Sequence, residues 1–158
     1  MFAGSGGVGI EALSRGYGEA VFVDSSPVCV ESIQGNLEKC GLAARGRAVC
    51  ARVEEVFADP ARYGIDETAG PYNLITVTPP YEEVDYGELM TLIGGSSLVG
   101  EGTFVVVEYP IELKTLPPVI MNRLVGLRNR KYGRTVVAVY ACQPDTDLEP
   151  RGDEFIAL

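Results

Sequence analysis

The first residues of the chain have types and a spacing that could hold a nucleotide-like ligand. Gly4, Gly6 and Gly9 form the pattern G-x-G-x-x-G, and Asp24 lies 15 residues after Gly9, at the end of an apolar run. Glycine allows backbone angles that other residues resist and lets a ligand approach the main chain closely. A carboxylate at Asp24 can accept hydrogen bonds from both hydroxyls of a ribose, or it can cap the following helix. The combination is compatible with NAD and with S-adenosylmethionine.

A second candidate site is the stretch Thr78-Pro79-Pro80-Tyr81. Proline has no N–H and stiffens the backbone, so the carbonyl of Pro79 can point into a site as a hydrogen-bond acceptor. The flat ring of Tyr81 can stack on a base. The stretch is similar to the (D/N)-P-P-(F/Y/W) pattern of amino-methyltransferases that act on nucleobases. This similarity implies that it orients an exocyclic amine so that the lone pair of the amine faces the methyl donor. An ordinary Pro-Pro turn is the alternative, and the glycine loop with Asp24 disfavours it.

Alternating strand and helix patterns predict where these stretches lie. The patterns indicate strands at 19–24, 47–51 and 102–110, and a strand within 72–81 that runs into a proline turn. They also indicate helices at 10–16, 25–41, 52–59 and 86–95, and a final hairpin at 123–142. This order predicts an α/β fold with a mostly parallel sheet and a C-terminal antiparallel hairpin. The glycine loop, Asp24 and the T-P-P-Y stretch then fall at the carboxyl ends of strands, where such sheets bind ligands.

The composition limits the classes of function. The chain has 158 residues, no histidine, and four cysteines without a C-x-x-C pair, which disfavours a zinc site. Its apolar runs are too short to span a bilayer. A net charge of −9 is unusual for a nucleic-acid-binding protein, although Lys and Arg concentrate between Arg123 and Arg134. A solvated β-hairpin is the favoured interpretation of this basic cluster, and a local phosphate contact is the other.

The sequence resembles the RsmD-type 16S rRNA guanine-N2 methyltransferases. The stretches that carry the resemblance span roughly residues 1–141: "FAGSGGVGIEALSRG", "AVFVD", "NLEKCGL", "PYNLITVTPPY", "FVVVEYP" and "KYGRTVVAVY". The resemblance implies a Rossmann-like, S-adenosylmethionine-dependent fold. It also implies methyl transfer to the exocyclic N2 amine of a guanine in small-subunit ribosomal RNA, without a metal. The variants "TPPY" and "VEYP" resemble the plant and algal branch, which implies a chloroplast protein.

The resemblance also assigns site residues position by position. Those that match the cofactor site are Phe2, Ala3, Gly4, Ser5, Gly6, Gly9, Asp24, Ser25, Arg52 and Val53. Those that match the site of the target base are Thr78, Pro79, Pro80 and Tyr81. Two of them depart from the family. Arg52 lies where the family has a different polar residue beside the adenine, and Thr78 replaces an Asp or Asn, so its hydroxyl would be a weaker acceptor for the amine.

Further expectations concern the ends of the chain and its partners. A full strand and a basic segment precede "FAGSG" in the family, so the first strand of the sheet is expected to be largely missing here. Residues 1–142 are expected to form the methyltransferase domain and 143–158 a loose C-terminal tail. The protein is expected to be a monomer that contacts ribosomal RNA and neither a metal nor a membrane.

Two other functions are weighed against methyl transfer. An NAD-dependent oxidoreductase would need a hydride-transfer residue such as a histidine or a Tyr-x-x-x-Lys pair, and the sequence has neither. A degenerate methyltransferase-like domain could bind RNA or a partner without catalysis. Thr78 and the short N-terminus favour this second alternative.

Overall fold

The chain consists of two compact units. The computed structural model describes residues 1–81, 84–143 and 155, and its backbone contacts separate Met1–Val56 from Phe57–Leu158. The first unit contains α1 (Gly7–Ser14), β1 (Ala20–Asp24), α2 (Pro27–Lys39) and β2 (Gly46–Cys50). Helix α3 (Val53–Ala58) crosses the boundary between the units.

Two parallel strands and two helices build the first unit. Strands β1 and β2 pair in register from Ala20 opposite Gly46 to Asp24 opposite Cys50. The core joins one residue of α1, one of β1 and two of α2: Leu13, Phe22, Ile33 and Leu37. Helix α2 begins as its sequence predicts, because the side chain of Ser26 accepts a hydrogen bond from the N–H of Cys29 and a proline occupies the first turn.

The second unit contains a five-stranded sheet and helix α4. The elements are β3 (Leu74–Val77), α4 (Tyr86–Gly95), β4 (Phe104–Pro110), β5 (Val119–Ile120), β6 (Leu124–Tyr132) and β7 (Thr135–Cys142). The strand order is β3-β4-β7-β6-β5. Strands β3 and β4 are parallel, and the other neighbours are antiparallel. The predicted α/β class and its C-terminal antiparallel part are therefore confirmed.

The two sides of the five-stranded sheet differ in burial. One side is the core of the unit and carries Val105, Val107, Tyr109, Val136, Ala138 and Tyr140. The other is named here the half-buried side, and it carries Thr76, Val106, Glu108, Val137 and Val139. Successive residues of a strand point to opposite sides of a sheet. The cross-strand pairs therefore decide on which side each side chain of β6 and β7 lies.

A β-bulge in β6 changes which residues share a side. Gly126 pairs with Tyr140 of the core side, whereas Arg128 pairs with Val139 of the half-buried side. The intervening residue, Leu127, is the extra residue that shifts the register. From Arg128 onward, the even-numbered residues of β6 therefore lie on the half-buried side.

The hairpin ends in a two-residue turn, Gly133-Arg134, between the paired residues Tyr132 and Thr135. Gly133 has a φ of 63°, as the first position of a tight hairpin turn requires. The sequence predicted the hairpin and its glycine. It did not predict the short strand β5. For 72–81 it predicted a strand that runs into a proline turn, and the observed strand ends at Val77, before the prolines.

The expectations for the chain ends stay predictions. Most of the 143–158 segment lies outside the described residues. Phe155 is described; it is buried, and its ring packs edge-on against Tyr140 with a centroid distance of 5.2 Å. In the described ranges we find no helix with the length and apolar character needed to cross a bilayer.

Candidate functional site

The glycine-rich loop forms a tight turn that leads into α1. Phe2, Gly4 and Gly6 have positive φ angles of 54°, 53° and 83°. The N–H of Ala3 donates to the carbonyl of Val23 at 3.0 Å, which ties the loop to β1, and the N–H of Gly6 donates to the carbonyl of Ala3 at 2.8 Å. The loop conformation is therefore set mainly by the backbone.

The three glycines of the loop are required for different reasons. A Cβ on Gly9 would lie 2.3 Å from Cε1 of Phe22, so the contact between α1 and β1 needs a glycine there. A Cβ on Gly6 would lie 3.2 Å from Cγ1 of Ile33 and would also be strained by the positive φ. A Cβ on Gly4 would meet nothing within 4 Å. The space beside Gly4 is therefore open to a ligand that approaches the main chain.

The carboxylate of Asp24 holds the loop and the start of α2 together. Its Oδ2 accepts the N–H of Gly4 at 2.8 Å, and its Oδ1 accepts the N–H of Ser26 at 2.9 Å. The two roles considered for this residue, capping and ribose binding, are therefore not exclusive. An ionised carboxylate has about four lone-pair sites, and these two bonds use one on each oxygen.

Other predicted cofactor residues lie around the ends of β1 and β2. The carbonyl of Ser5 accepts the side-chain Nδ2–H of Asn36 at 2.9 Å, a contact that fixes the loop from α2. Ser25 is exposed and follows β1 directly. Arg52 is exposed and lies 3.6 Å from Glu54. Val53 is only 2% exposed, so its side chain packs in the protein rather than presenting a surface.

The T-P-P-Y stretch follows β3 in the second unit. Thr78 is half-buried, Pro79 is buried and Pro80 is exposed. Tyr81 is 37% exposed, so part of this residue is accessible from the surface.

Two side chains on neighbouring strands hold the hydroxyl of Tyr81. It donates to Oε1 of Glu108 at 2.9 Å and shares a second hydrogen bond with the hydroxyl of Thr135. Glu108 lies on β4 and Thr135 begins β7. Because both strands belong to one sheet, these bonds fix the far end of the Tyr81 ring relative to the sheet.

Electrostatics keep the tyrosines of this region protonated. Removal from water, and after it the neighbouring Glu108, raise the pKa of Tyr81 above its ordinary value. Burial raises the pKa of Tyr86 to about 12, and the hydroxyl of Tyr86 donates to the carbonyl of Glu108 at 3.4 Å. At neutral pH both hydroxyls are therefore hydrogen-bond donors and not phenolate bases.

The structure brings together two sets of predicted residues, one in each unit. In the first unit Asp24 contacts the glycine loop directly, and in the second the T-P-P-Y stretch leads to an anchored tyrosine. Sequence reasoning missed the partners Asn36, Glu108 and Thr135. All three lie inside or beside stretches that carried the resemblance, but their roles depend on contacts with residues far away in the chain. Among the described residues, no three His, Cys, Asp or Glu side chains form a potential metal site.

Comparison with known proteins gives one family and several related structures. The model of the family described as "Conserved hypothetical protein 95" matches residues 1–141. A protein of Bacillus subtilis strain 168, named "Putative rRNA methyltransferase YlbH", is 34% identical over 140 residues, which are 89% of this chain and 72% of that protein.

Two solved structures illustrate the similarity in fold. A conserved hypothetical protein from Streptococcus pyogenes has a TM-score of 0.77 and 27% identity, over 90% of this chain and 82% of the other. An RNA methyltransferase from Salinibacter ruber, solved with S-adenosyl-L-homocysteine, has a TM-score of 0.59 and 16% identity, over 93% of this chain and 80% of the other. At this level of identity, the second comparison shows the fold alone.

The family match spans the stretches that carried the resemblance, from the glycine loop to the late strand β7. It confirms the predicted family and, with the solved structures, the Rossmann-like methyltransferase fold. The chain belongs to the "Conserved hypothetical protein 95" family, the RsmD-type family of S-adenosylmethionine-dependent methyltransferases.

Proposed function

We propose that the chain transfers a methyl group from S-adenosylmethionine to the exocyclic N2 amine of a guanine in small-subunit ribosomal RNA. Family membership supports the reaction class, and the name of the Bacillus subtilis relative, a putative rRNA methyltransferase, supports ribosomal RNA as the substrate. The single observation that carries the proposal is the position of Tyr81. This residue is partly exposed directly after the Thr-Pro-Pro stretch, and its hydroxyl is held by Glu108 and Thr135.

The residues of the first unit fit the cofactor. The open space beside Gly4 leaves room for a group that contacts the main chain, and Asp24 keeps lone pairs for two ribose hydroxyls. We assign the methionine part to the loop from Phe2 to Gly9 and the ribose to Asp24. The cofactor supplies an activated methyl group on a sulfonium.

The residues of the second unit fit a base. A guanine that is flipped out of its RNA helix would stack on Tyr81. The Pro79 carbonyl and the Thr78 hydroxyl would each accept one hydrogen of the N2 amine and so direct its lone pair. Positioning of this kind can account for a large part of a rate acceleration. Because the chain has no histidine, we assign loss of the amine proton to water.

Methyl transfer to RNA tests the proposal directly. The full chain is incubated with S-adenosylmethionine labelled in its methyl group and with unmodified small-subunit ribosomal RNA made in vitro. Digestion to nucleosides should place the label in N2-methylguanosine, and the variant Tyr81→Ala should lose most of it. Label in another nucleoside would contradict the target atom. A parallel reaction with unmodified large-subunit RNA tests the substrate, and label in that RNA alone would contradict the proposal.

One further outcome would favour the non-catalytic alternative. If the chain binds S-adenosylmethionine and RNA but transfers no methyl group, it is a degenerate member of the family. The substitution of the family's Asp or Asn by Thr78 is the observation that favours this alternative.

We also propose that the protein acts in a chloroplast as a monomer. The T-P-P-Y and V-E-Y-P variants support the compartment. Microscopy of the full gene product fused to a fluorescent protein, in an algal or plant cell, tests it, and signal confined to the cytoplasm would contradict it. Sedimentation of the purified chain measures its mass in solution and so tests whether it is a monomer.

A further inference from the structure

We propose that the outward part of strand β6 binds the single-stranded RNA that flanks the target base. The surface consists of Arg128, Arg130 and Tyr132 and is named here the hairpin patch. The inference rests on the proposed function, because it assigns the RNA contacts next to Tyr81. It replaces the interpretation of the basic cluster as a merely solvated hairpin.

The sheet register places the hairpin patch beside the anchor of Tyr81. Tyr132 pairs directly with Thr135, the residue whose hydroxyl bonds to Tyr81. Side chains of directly paired residues have Cβ atoms about 4.5–5.5 Å apart. Arg130 pairs with Val137, which in turn pairs with Glu108, the second partner of Tyr81. The patch therefore continues the surface on which the Tyr81 ring is fixed.

Alternation along β6 gives all three residues of the patch the same orientation, and the bulge at Leu127 determines on which side of the sheet they lie. Arg128, Arg130 and Tyr132 pair with Val139, Val137 and Thr135, which lie on the half-buried side of the sheet. All three patch residues are exposed. Asn129, between the two arginines, is buried and points to the core side. Two guanidinium groups and one aromatic ring thus form a row along one edge of that side.

The charge of this row opposes the charge of the whole chain. Five of the 13 Lys and Arg residues lie between Arg123 and Arg134, a segment without Asp or Glu, while the net charge is −9. An acidic protein that acts on RNA needs a local positive surface to approach the phosphates. The hairpin supplies such a surface next to the proposed base site.

The exposed aromatic ring distinguishes RNA from a simple polyanion. Tyr132 is 61% exposed, among the largest exposures of an apolar or aromatic side chain in the described residues. Single-stranded RNA is recognised by stacking of its bases on aromatic rings and guanidinium planes, together with contacts to its phosphates. We assign to Tyr132 the base next to the target, and to Arg128 and Arg130 the backbone that follows it.

Binding of a labelled RNA to matched variants tests the patch. The probe is a fluorescent, single-stranded 12-nucleotide RNA of mixed sequence, and its dissociation constant is measured over a range of salt concentrations. The double variant Arg128→Gln/Arg130→Gln should bind about tenfold more weakly, and the slope of log K against log salt should fall by about 1.4, or about 0.7 for each lost phosphate contact. The control Arg15→Gln/Arg62→Gln changes the net charge equally at exposed positions outside the patch and should alter binding by less than about twofold.

A second variant separates stacking from charge. Tyr132→Ala should weaken binding about tenfold with an unchanged salt slope, and Tyr132→Phe should retain the affinity. Each variant is checked by its melting temperature and by calorimetry with S-adenosylmethionine, which should both match the unchanged chain. Equal loss in Tyr132→Phe and Tyr132→Ala, or a loss of salt slope without any effect of Tyr132→Ala, would overturn RNA stacking on the patch.

The same variants distinguish failure of this inference from failure of the proposed function. If the chain methylates small-subunit RNA and the patch variants keep both affinity and rate, the patch is not the RNA surface and the function stands. If the chain transfers no methyl group but the patch variants lose RNA binding, the surface is correct and the proposed function is wrong.

Discussion

The two units hold their site residues by different means. In the first, backbone geometry and close packing fix the loop, through positive φ angles and a glycine packed on Phe22, while the carboxylate of Asp24 accepts the N–H of Gly4. In the second, side chains fix the site, because the hydroxyl of Tyr81 bonds to Glu108 and Thr135. We therefore expect an added methyl group to cause the largest damage in the first unit, and the loss of a hydroxyl to matter more in the second unit than in the first.

The largest effect is expected from Gly9→Ala in the first unit. Its Cβ would lie 2.3 Å from the ring of Phe22, so the helix or the ring must move. The free energy of unfolding should fall by about 3 kcal/mol, as in overpacked cores. Chemical denaturation measures the loss. Gly7→Ala, two residues earlier in the same helix, has only the Ser5 hydroxyl at 3.9 Å and should leave stability unchanged or slightly raised. If the two variants were equally stable, the close contact between Gly9 and Phe22 would not limit the stability of the first unit.

A smaller effect is expected when the carboxylate of Asp24 is removed. Asp24→Ala deprives the N–H groups of Gly4 and Ser26 of their acceptor and removes the proposed ribose contact. S-adenosylmethionine should bind more weakly by about 2 kcal/mol, the cost of losing charge-assisted hydrogen bonds. Isothermal calorimetry measures this loss of affinity for S-adenosylmethionine. Asp24→Asn keeps one acceptor oxygen and should lose less, whereas unchanged affinity in folded Asp24→Ala would remove this residue from the site.

In the second unit, removal of a hydroxyl is expected to raise the activation free energy of methyl transfer by about 1 kcal/mol. Tyr81→Phe keeps the ring but loses the bonds to Glu108 and Thr135, so kcat for RNA methylation should fall about fivefold. The kcat of Tyr81→Ala should fall further, because stacking of the base on the ring is also lost. Thr135→Ser retains the hydroxyl and should behave as the unchanged chain. If Tyr81→Phe had full activity, anchoring by the sheet would have no catalytic role.

The smallest effect is expected from removal of a hydroxyl in the first unit. Ser26→Ala loses the cap of α2, whose hydrogen bond from the N–H of Cys29 is long at 3.4 Å. The free energy of unfolding should fall by only about 0.5 kcal/mol, at the low end for a helix cap. A thermal melt measures this. A loss as large as that of Gly9→Ala would mean that side chains, and not the backbone, hold the first unit.

The sequence predicts local features well and distant pairings poorly. The cap of α2, the end of β1 at Asp24 and the glycine of the hairpin turn follow from residue types a few positions apart. The partners of Tyr81 lie 27 and 54 residues away in the chain. Their meeting depends on which strands are neighbours and on their register, which alternation along a single strand does not contain. The contact between Gly9 and Phe22 was likewise invisible, although the glycine itself was identified.

The bulge at Leu127 has a consequence for how this hairpin can change in length. Deleting the codon for Leu127 would leave Gly126 opposite Tyr140 and Arg128 opposite Val139, so every outward side chain would stay outward. Deleting the codon for Asn129 would instead place either Arg128 or Arg130 opposite Ala138, on the core side, where an unpaired charge is costly. Deletions among natural variants of this hairpin should therefore be tolerated at position 127 and be rare at position 129.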